Sequence, residues 1–298
     1  MNREGAKNAK KNAKICFLAY LASWRFNLRS RIDKRGRESK SEKRAFAHNI
    51  LTISPLPRYL QAMSIIYMIR HGQASFGHED YDHLSTLGRR QARILAQFLF
   101  RTGFQPDAVY SGTMLRQKET AEEFLSVYRE GGRTLPNVEQ LSGFNEFDSG
   151  SIVEAMFPSM AVEDPTLEHD LPKMFSNMGS FKRVFEGAML KWVTGRFDTP
   201  RIESWKDLQA RVFESLRQIR EKHGRGKTIA VFTSGGAIAA SLSYVLGIPG
   251  EHAMRLNWQV VNTSISRFMY NEERITVSGF NSISHLELEG EPSLVTYR

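Results

Sequence analysis

From residue 63 onward, short apolar runs alternate with longer stretches in which apolar residues recur at helical spacing. The short runs are rich in β-branched residues and predict strands at 65–69, 107–111 and 228–232, with two more near 264–270 and 274–278. Helical spacing predicts helices over 85–102, over 114–128, along a stretch that stops at residue 224, and over 237–246. Ser85 is the predicted N-cap of the first helix, and Gly103 its end.

This alternation of strands and helices predicts an α/β fold, a three-layer sandwich with a mostly parallel central sheet. Residues 150–203 are richer in Met, Phe and Pro and interrupt the alternation. They are predicted to form a helical lid inserted over one end of the sheet. The domain as a whole is predicted to span residues 63–298.

The charge of the chain is unevenly distributed. Of 298 residues, 41 are Lys or Arg and 32 are Asp or Glu, which gives a net charge of +9. Residues 1–62 alone carry a net charge of +11, and the remaining chain carries −2. A basic surface over the whole fold, as nucleic-acid binding would need, is therefore excluded.

The basic residues 1–62 are predicted to be a disordered or non-native N-terminal extension. An apolar core at 15–21 between two basic stretches resembles a signal peptide, but the positive charge after it opposes export. Contact with an anionic membrane surface is the alternative. No apolar run reaches the ~18 residues of a membrane span. The single cysteine, Cys16, excludes an intramolecular disulfide framework, and a cytoplasmic protein is expected.

Residues able to bind phosphate follow three of the predicted strands. Arg70 and His71 follow the first strand, Arg116 lies in the helix after the second, and Ser234 and Gly235 begin the helix after the strand at 228–232. Ligands of open parallel sheets bind at the carboxyl ends of the strands. Guanidinium groups and helix N-termini suit a phosphoryl dianion, and a neutral imidazole can attack phosphorus. The sequence thus predicts a phosphate site.

Three segments resemble one known family. Residues 69–73 are similar to the Arg-His-Gly signature of the histidine phosphatase superfamily, also called phosphoglycerate mutase-like. Residues 84–92 resemble the family's Leu-Thr-x-x-Gly-x-x-Gln-Ala stretch, and residues 110–121 its Ser-Ser-x-x-x-Arg-x-x-x-Thr-Ala segment. The resemblance covers 63–298 and none of 1–62.

The resemblance implies a role for each candidate residue. His71 is the implied nucleophile that forms a phosphohistidine, and Arg70 and Arg116 are implied to hold the phosphoryl oxygens. Glu146 resembles the family's proton donor to the leaving oxygen, a role that needs a pKa raised by burial. Asp148 is the competing candidate for that role.

One departure from the family pattern affects the expected activity. Ser234 stands where the family usually carries a second histidine, in a Thr-His-Gly-Gly-like turn. A serine hydroxyl can donate one hydrogen bond but carries no positive charge. In other enzymes, loss of one good hydrogen-bond donor costs about 3 kcal/mol of transition-state stabilisation. His285, His78 and His83 are the alternatives for a compensating imidazole. Gly77 stands where the family asparagine would fall.

Two other motifs do not carry chemistry. Residues 226–228 imitate the end of a phosphate-binding P-loop but precede their strand. The acidic and histidine-rich residues 78–83 have the wrong spacing for a helical metal site, so a solvated loop is predicted. No metal and no cofactor are expected.

The sequence therefore predicts a metal-independent phosphomonoester hydrolase that acts on a small phosphorylated substrate through a phosphohistidine. Two alternatives stay open: an anion-binding protein weakened by Ser234, and a phosphoglycerate-type mutase. The insertion contains four basic residues that are expected either to bind an acidic substrate or to face solvent: Lys173, Lys182, Arg183 and Lys191. The substrate and the oligomeric state are not determined.

Overall fold

The structure is a computed structural model that describes residues 63–75, 82–196 and 199–297. The predictions for residues 1–62, for Gly77 and for His78 lie outside the described residues. Within them, no helix is long and apolar enough to cross a membrane.

Six strands form one sheet. They are β1 (Ser64–Arg70), β2 (Ala108–Ser111), β3 (Val138–Gln140), β4 (Thr228–Thr233), β5 (Ile265–Tyr270) and β6 (Ile275–Ser282). Their order across the sheet is β3-β2-β4-β1-β5-β6. The first four strands in this order run parallel, whereas β5 is antiparallel to both of its neighbours. The carboxyl ends of β1, β2 and β4 therefore lie side by side at one edge of the sheet.

The described helices lie between these strands and at the end of the chain. They are α1 (Thr86–Arg101), α2 (Leu115–Glu130), α3 (Ser149–Glu163), α4 (Met178–Phe181), α5 (Gly187–Trp192), α6 (Trp205–His223), α7 (Gly235–Leu246), α8 (Gly250–Asn257) and α9 (Ser284–Glu287). Ser85 caps α1 as predicted, because its side chain accepts a hydrogen bond from the Gly88 amide at 3.0 Å.

Alternating residues of the central strands contribute to two separate hydrophobic cores. Ile66 and Met68 of β1 pack on one face of the sheet in a cluster with residues of α6 and α7. Ile69 packs on the opposite face in a cluster with residues of α1 and α2. Helices therefore cover both faces, and the predicted three-layer α/β sandwich is confirmed.

The segment at 150–203 is helical and well packed. Buried side chains of α3 and α5, among them Met156, Met189 and Trp192, join the same core as the sheet face under α6 and α7. The Trp192 ring lies 4.9 Å from the ring of Phe147, the residue that follows Glu146. That this segment serves as a lid over the site stays a prediction.

Candidate active site

The loop after β1 places His71 at the carboxyl edge of the sheet. Its backbone amide donates to the Thr233 carbonyl at 2.8 Å, so the end of β1 is tied to the end of β4. The His71 side chain is buried, and its Nδ1 lies 2.7 Å from the Gly72 carbonyl. A carbonyl only accepts, so Nδ1 carries the hydrogen and Nε2 keeps its lone pair. The tautomer is the one that a nucleophilic Nε2 requires.

The charge state of this imidazole follows from its surroundings. Burial lowers the pKa of His71 well below its ordinary value of 6.5, and the positive charges of Arg116 and Arg70 lower it further. The ring is therefore neutral at neutral pH. Burial and charge together give an uncharged nitrogen nucleophile beside two guanidinium groups.

Arg116 lies in the first turn of α2 and reaches the same imidazole. Its Nε donates to His71 Nε2 at 3.2 Å, and its Nη1 pairs with Asp82 Oδ1 at 2.5 Å. Asp82 Oδ2 accepts a hydrogen bond from the Leu115 amide at 2.7 Å. One carboxylate thus holds both the start of α2 and the guanidinium of Arg116.

Asp82 was missed by the sequence reasoning, because the segment at 78–83 reads as a solvated loop. That prediction is wrong for Asp82, whose two oxygens both bind α2. His83, a predicted substitute for the second histidine, lies against Glu119, with Nδ1 2.7 Å from Oε1. This contact joins its ring to α2 at Glu119. No local pattern marks either contact, since both partners lie more than 30 residues away.

The segment before β5 supports the other guanidinium group. Arg70 Nη1 donates to the Val260 carbonyl, and the Thr263 amide donates to the Arg70 carbonyl at 3.0 Å. Asn262 Nδ2 donates to the His71 carbonyl at 3.1 Å. Thr263 adopts a positive φ of 62° at this crossing, a conformation that non-glycine residues rarely take. The Arg70–His71 turn is therefore held by the segment before β5.

Two sequence motifs meet because two glycines approach closely. A Cβ on Gly72 would lie 2.4 Å from the Gly88 carbonyl oxygen, and a Cβ on Gly88 would lie 2.1 Å from that of Gln73. Gln91 Oε1 also accepts from the Gln73 amide at 2.9 Å. The loop that carries His71 is thus packed directly on α1, which requires glycine at both contacts.

The start of α7 carries Ser234 and Gly235 beside the end of β1. Ser234 is buried, and its Oγ accepts a hydrogen bond from Gln117 Nε2 at 2.8 Å. Gly235 follows in the first turn, where a Cβ would lie 2.3 Å from Asn257 Oδ1. The structure therefore brings Arg70, His71, Arg116, Ser234 and Gly235 to one edge of the sheet, as the sequence predicts.

Glu146 reaches the same helix start. The Gly236 amide donates to Glu146 Oε1 at 3.0 Å and to Oε2 at 3.2 Å. A Cβ on Gly236 would lie 2.1 Å from Glu146 Oε1, so glycine is needed for this approach. The Glu146 carboxylate thus accepts the hydrogen bond of a backbone amide at the N-terminus of α7. From the sequence, the amides of this helix start are expected to be available to phosphate.

Asp148 has a different function in the structure. It caps α3, with Oδ1 accepting from the Ser151 amide at 3.1 Å and Oδ2 from the Ser151 hydroxyl at 2.6 Å. These hydrogen bonds lower the pKa of Asp148 below its ordinary value. Asp148 is therefore engaged at the start of α3, whereas Glu146 lies at the start of α7 next to Ser234, and this position favours Glu146 over Asp148.

His285 contacts Thr263 in the segment before β5 and the ring of Phe98 in α1. Its Nε2 is 3.0 Å from Thr263 Oγ1, and its ring is 6.2 Å from the Phe98 ring. The side chain is buried, and Thr263 belongs to the segment before β5 that supports His71. Among the described residues, no contact joins the His285 ring to His71, and its Nε2 is engaged by Thr263.

Burial of His285 leads to a pH prediction. Burial lowers its pKa to about 4, whereas the unfolded chain has the ordinary 6.5. Between these values the unfolded chain binds a proton that the folded protein refuses, so stability falls as the pH falls. We expect wild type to lose about 2 kcal/mol more unfolding free energy between pH 7 and pH 5 than His285→Gln does. Urea unfolding at both pH values measures this, and equal losses would contradict it.

Two of the four basic residues predicted to meet a substrate or solvent form ion pairs within the insertion. Arg183 pairs with Asp164 and Asp170, and Lys191 pairs with Glu163. Lys173 and Lys182 are exposed. Within residues 63–75, 82–196 and 199–297, no three His, Cys, Asp or Glu side chains are grouped so as to hold a metal ion.

Comparison with known proteins identifies the family. The model of the histidine phosphatase superfamily (branch 1) matches residues 66–283. A search of curated protein sequences finds no match.

Solved structures share the fold at low sequence identity. YhfR of Bacillus stearothermophilus is 21% identical with a TM-score of 0.54, over 75% of this chain and 99% of that one. A mycobacterial glucosyl-3-phosphoglycerate phosphatase is 21% identical with a TM-score of 0.52, over 74% and 100%. A phosphoglycerate mutase of Bacillus anthracis is 18% identical with a TM-score of 0.52, over 79% and 100%. With the family model matching most of its length, the chain belongs to the histidine phosphatase superfamily.

Proposed function

We propose that this protein is a metal-independent phosphomonoesterase that works through a phosphohistidine at His71. The observation that carries the proposal is the neutral, buried imidazole of His71, whose Nε2 faces the guanidinium of Arg116 at 3.2 Å. Two guanidinium groups supply the positive charge that the transferring phosphoryl group needs. The similar structures include proteins named as phosphatases and as a mutase.

In the first step, His71 Nε2 attacks phosphorus and the bond to the leaving oxygen breaks. The incoming phosphoryl group takes the place of the Arg116–His71 hydrogen bond, so that Arg116 and Arg70 donate to its oxygens instead. Glu146 transfers a proton to the departing alkoxide. The products of this step are the free alcohol, a phosphohistidine and an ionised Glu146.

In the second step, water attacks the phosphohistidine. Glu146 accepts a proton from this water, the N–P bond breaks, and inorganic phosphate leaves. His71 returns to its neutral form and Glu146 to its acid form. The cycle balances without any group beyond this chain, the substrate and water.

The proposal is tested with the full chain and p-nitrophenyl phosphate, followed by a panel of small phosphorylated metabolites. We expect turnover in the presence of a chelator and a transient phosphoprotein that is labile in acid and stable in alkali. Phosphate binding without any phosphoprotein would instead support the anion-binding alternative. Movement of phosphate between two hydroxyls of phosphoglycerate, without free phosphate, would support the mutase.

Glu146 and Asp148 provide a matched pair of variants for the proton donor. Glu146→Gln is expected to lower kcat about 100-fold on an alkyl phosphate, whose alkoxide needs a proton to leave. The loss on p-nitrophenyl phosphate is expected to be under tenfold, because its leaving group is already a stable anion. Asp148→Asn, in the N-cap of α3, is expected to leave both rates within a few-fold. Equal losses on the two substrates would argue against proton donation by Glu146.

A further inference from the structure

Gln117 is a buried polar residue that the mechanism above does not use. It lies in the first turn of α2, next to Arg116, and is fully buried. Its Nε2 donates to the Phe144 carbonyl at 2.9 Å and to Ser234 Oγ at 2.8 Å. A single amide group therefore joins the start of α2 to Ser234, the N-cap residue of α7.

The direction of these hydrogen bonds is determined by the Phe144 carbonyl. Side-chain amides are often ambiguous, because their oxygen and nitrogen can be exchanged. Here the exchange is excluded, since a carbonyl oxygen at 2.9 Å can only accept and must face the NH₂ group of Gln117. The second hydrogen of that NH₂ then goes to Ser234 Oγ, which is the acceptor in this pair.

The hydroxyl hydrogen of Ser234 is consequently left for another acceptor. Among the described residues, Ser234 Oγ caps no amide of α7 and donates to no oxygen. Ser234 follows Thr233, which pairs with Arg70 across the parallel strands, so Ser234 stands next to His71. Neighbouring strands lie about 4.8 Å apart, so the backbones of Ser234 and His71 are adjacent, and a phosphoryl group on His71 can span the distance between them.

We propose that Gln117 is a positioning residue that makes the Ser234 hydroxyl a hydrogen-bond donor to the phosphoryl oxygens. The Gln117–Ser234 pair then supplies a neutral donor at the place where the family usually has its second histidine. This inference rests on the proposed phosphate site at His71. It explains why the amide of Gln117 is buried and aimed at a serine rather than exposed at the helix start.

The test measures how much Ser234 contributes to phosphate affinity with different residues at position 117. Inorganic phosphate is titrated calorimetrically into wild type, Ser234→Ala, Gln117→Met and the double variant. With Gln117 present, Ser234→Ala is expected to weaken binding about tenfold, as expected for a lost hydrogen bond to a charged group. With methionine at 117, the same change is expected to weaken binding less than twofold.

Gln117→Glu is the second variant, in case methionine prevents folding. A glutamate accepts the hydroxyl hydrogen of Ser234, so the serine is again expected to contribute less than twofold. Repulsion of phosphate by the new carboxylate is the same with serine and with alanine at 234, so it cancels in the comparison. An unchanged tenfold contribution of Ser234 in either background would overturn the proposal.

Gln209 and Ser243 form a matched control. Gln209 Nε2 donates to Ser243 Oγ at 3.0 Å between α6 and α7, a contact of the same chemistry that involves none of the site residues. Gln209→Met and Ser243→Ala are expected to leave phosphate affinity unchanged. Because binding is measured and not turnover, failure of the phosphatase proposal appears separately, as phosphate binding without hydrolysis.

Discussion

Replacing His71 by alanine is expected to lower kcat on p-nitrophenyl phosphate at least about 1,000-fold and to abolish the phosphoprotein. The variant loses the only group that we propose to bond to phosphorus, and water in its place is a much weaker nucleophile. Phosphate binding is expected to remain, because the guanidinium groups of Arg70 and Arg116 are still present. Retained phosphate binding together with a missing phosphoprotein is the result expected when the nucleophile is lost.

Two measurements separate loss of chemistry from loss of structure in this variant. The first is the thermal midpoint, and the second is phosphate affinity by calorimetry. His252→Ala, at an exposed histidine of α8, is the matched control and is expected to behave as wild type. Turnover by His71→Ala at the wild-type rate would show that another group reacts with phosphorus.

Replacing Arg116 by lysine is expected to lower kcat/KM about 100-fold. The guanidinium donates to His71 Nε2 through Nε while its Nη1 holds Asp82, and lysine has no planar fork that can serve both directions. The loss is of the size seen when one hydrogen-bond donor to a transition state is removed. Kinetics on p-nitrophenyl phosphate measure it.

The pH profile distinguishes the charge of Arg116 from its shape. The positive charge of Arg116 lowers the pKa of His71, so a neutral Arg116→Met variant is expected to have a higher pKa there. Its activity then falls at a higher pH on the acid side than that of wild type, because protonated imidazole cannot attack. Arg116→Lys keeps the charge and is expected to keep the wild-type acid limb.

Arg129, at the other end of α2, is the control for these variants. It is exposed and pairs with Glu122 on the surface. Arg129→Met is expected to change neither kcat/KM nor the pH profile. An acid limb that moves equally in Arg116→Met and Arg116→Lys would mean that charge at 116 does not set the protonation of His71.

Much of the fold follows from local patterns in the sequence. Strands β1 and β4 are short β-branched runs buried on both faces, and α1 has its cap and its end at the predicted residues. Strand β3 was not predicted, because its three residues lie at the edge of the sheet and are partly exposed. An edge strand of this length carries no hydrophobic alternation that a sequence could reveal.

In the site, too, some features follow from the sequence and others only from the tertiary structure. The sequence alone determined that Arg70 and His71 lie at the end of one strand and that Arg116 follows the end of another, because position at a strand end is a local property. Only the tertiary structure decided that Asp82 holds Arg116 and that Gln117 donates to Ser234, since those partners lie 34 and 117 residues apart. The direction of a hydrogen bond and the burial of its atoms away from water depend on which residues, distant in the chain, come into contact. No local sequence pattern encodes those contacts.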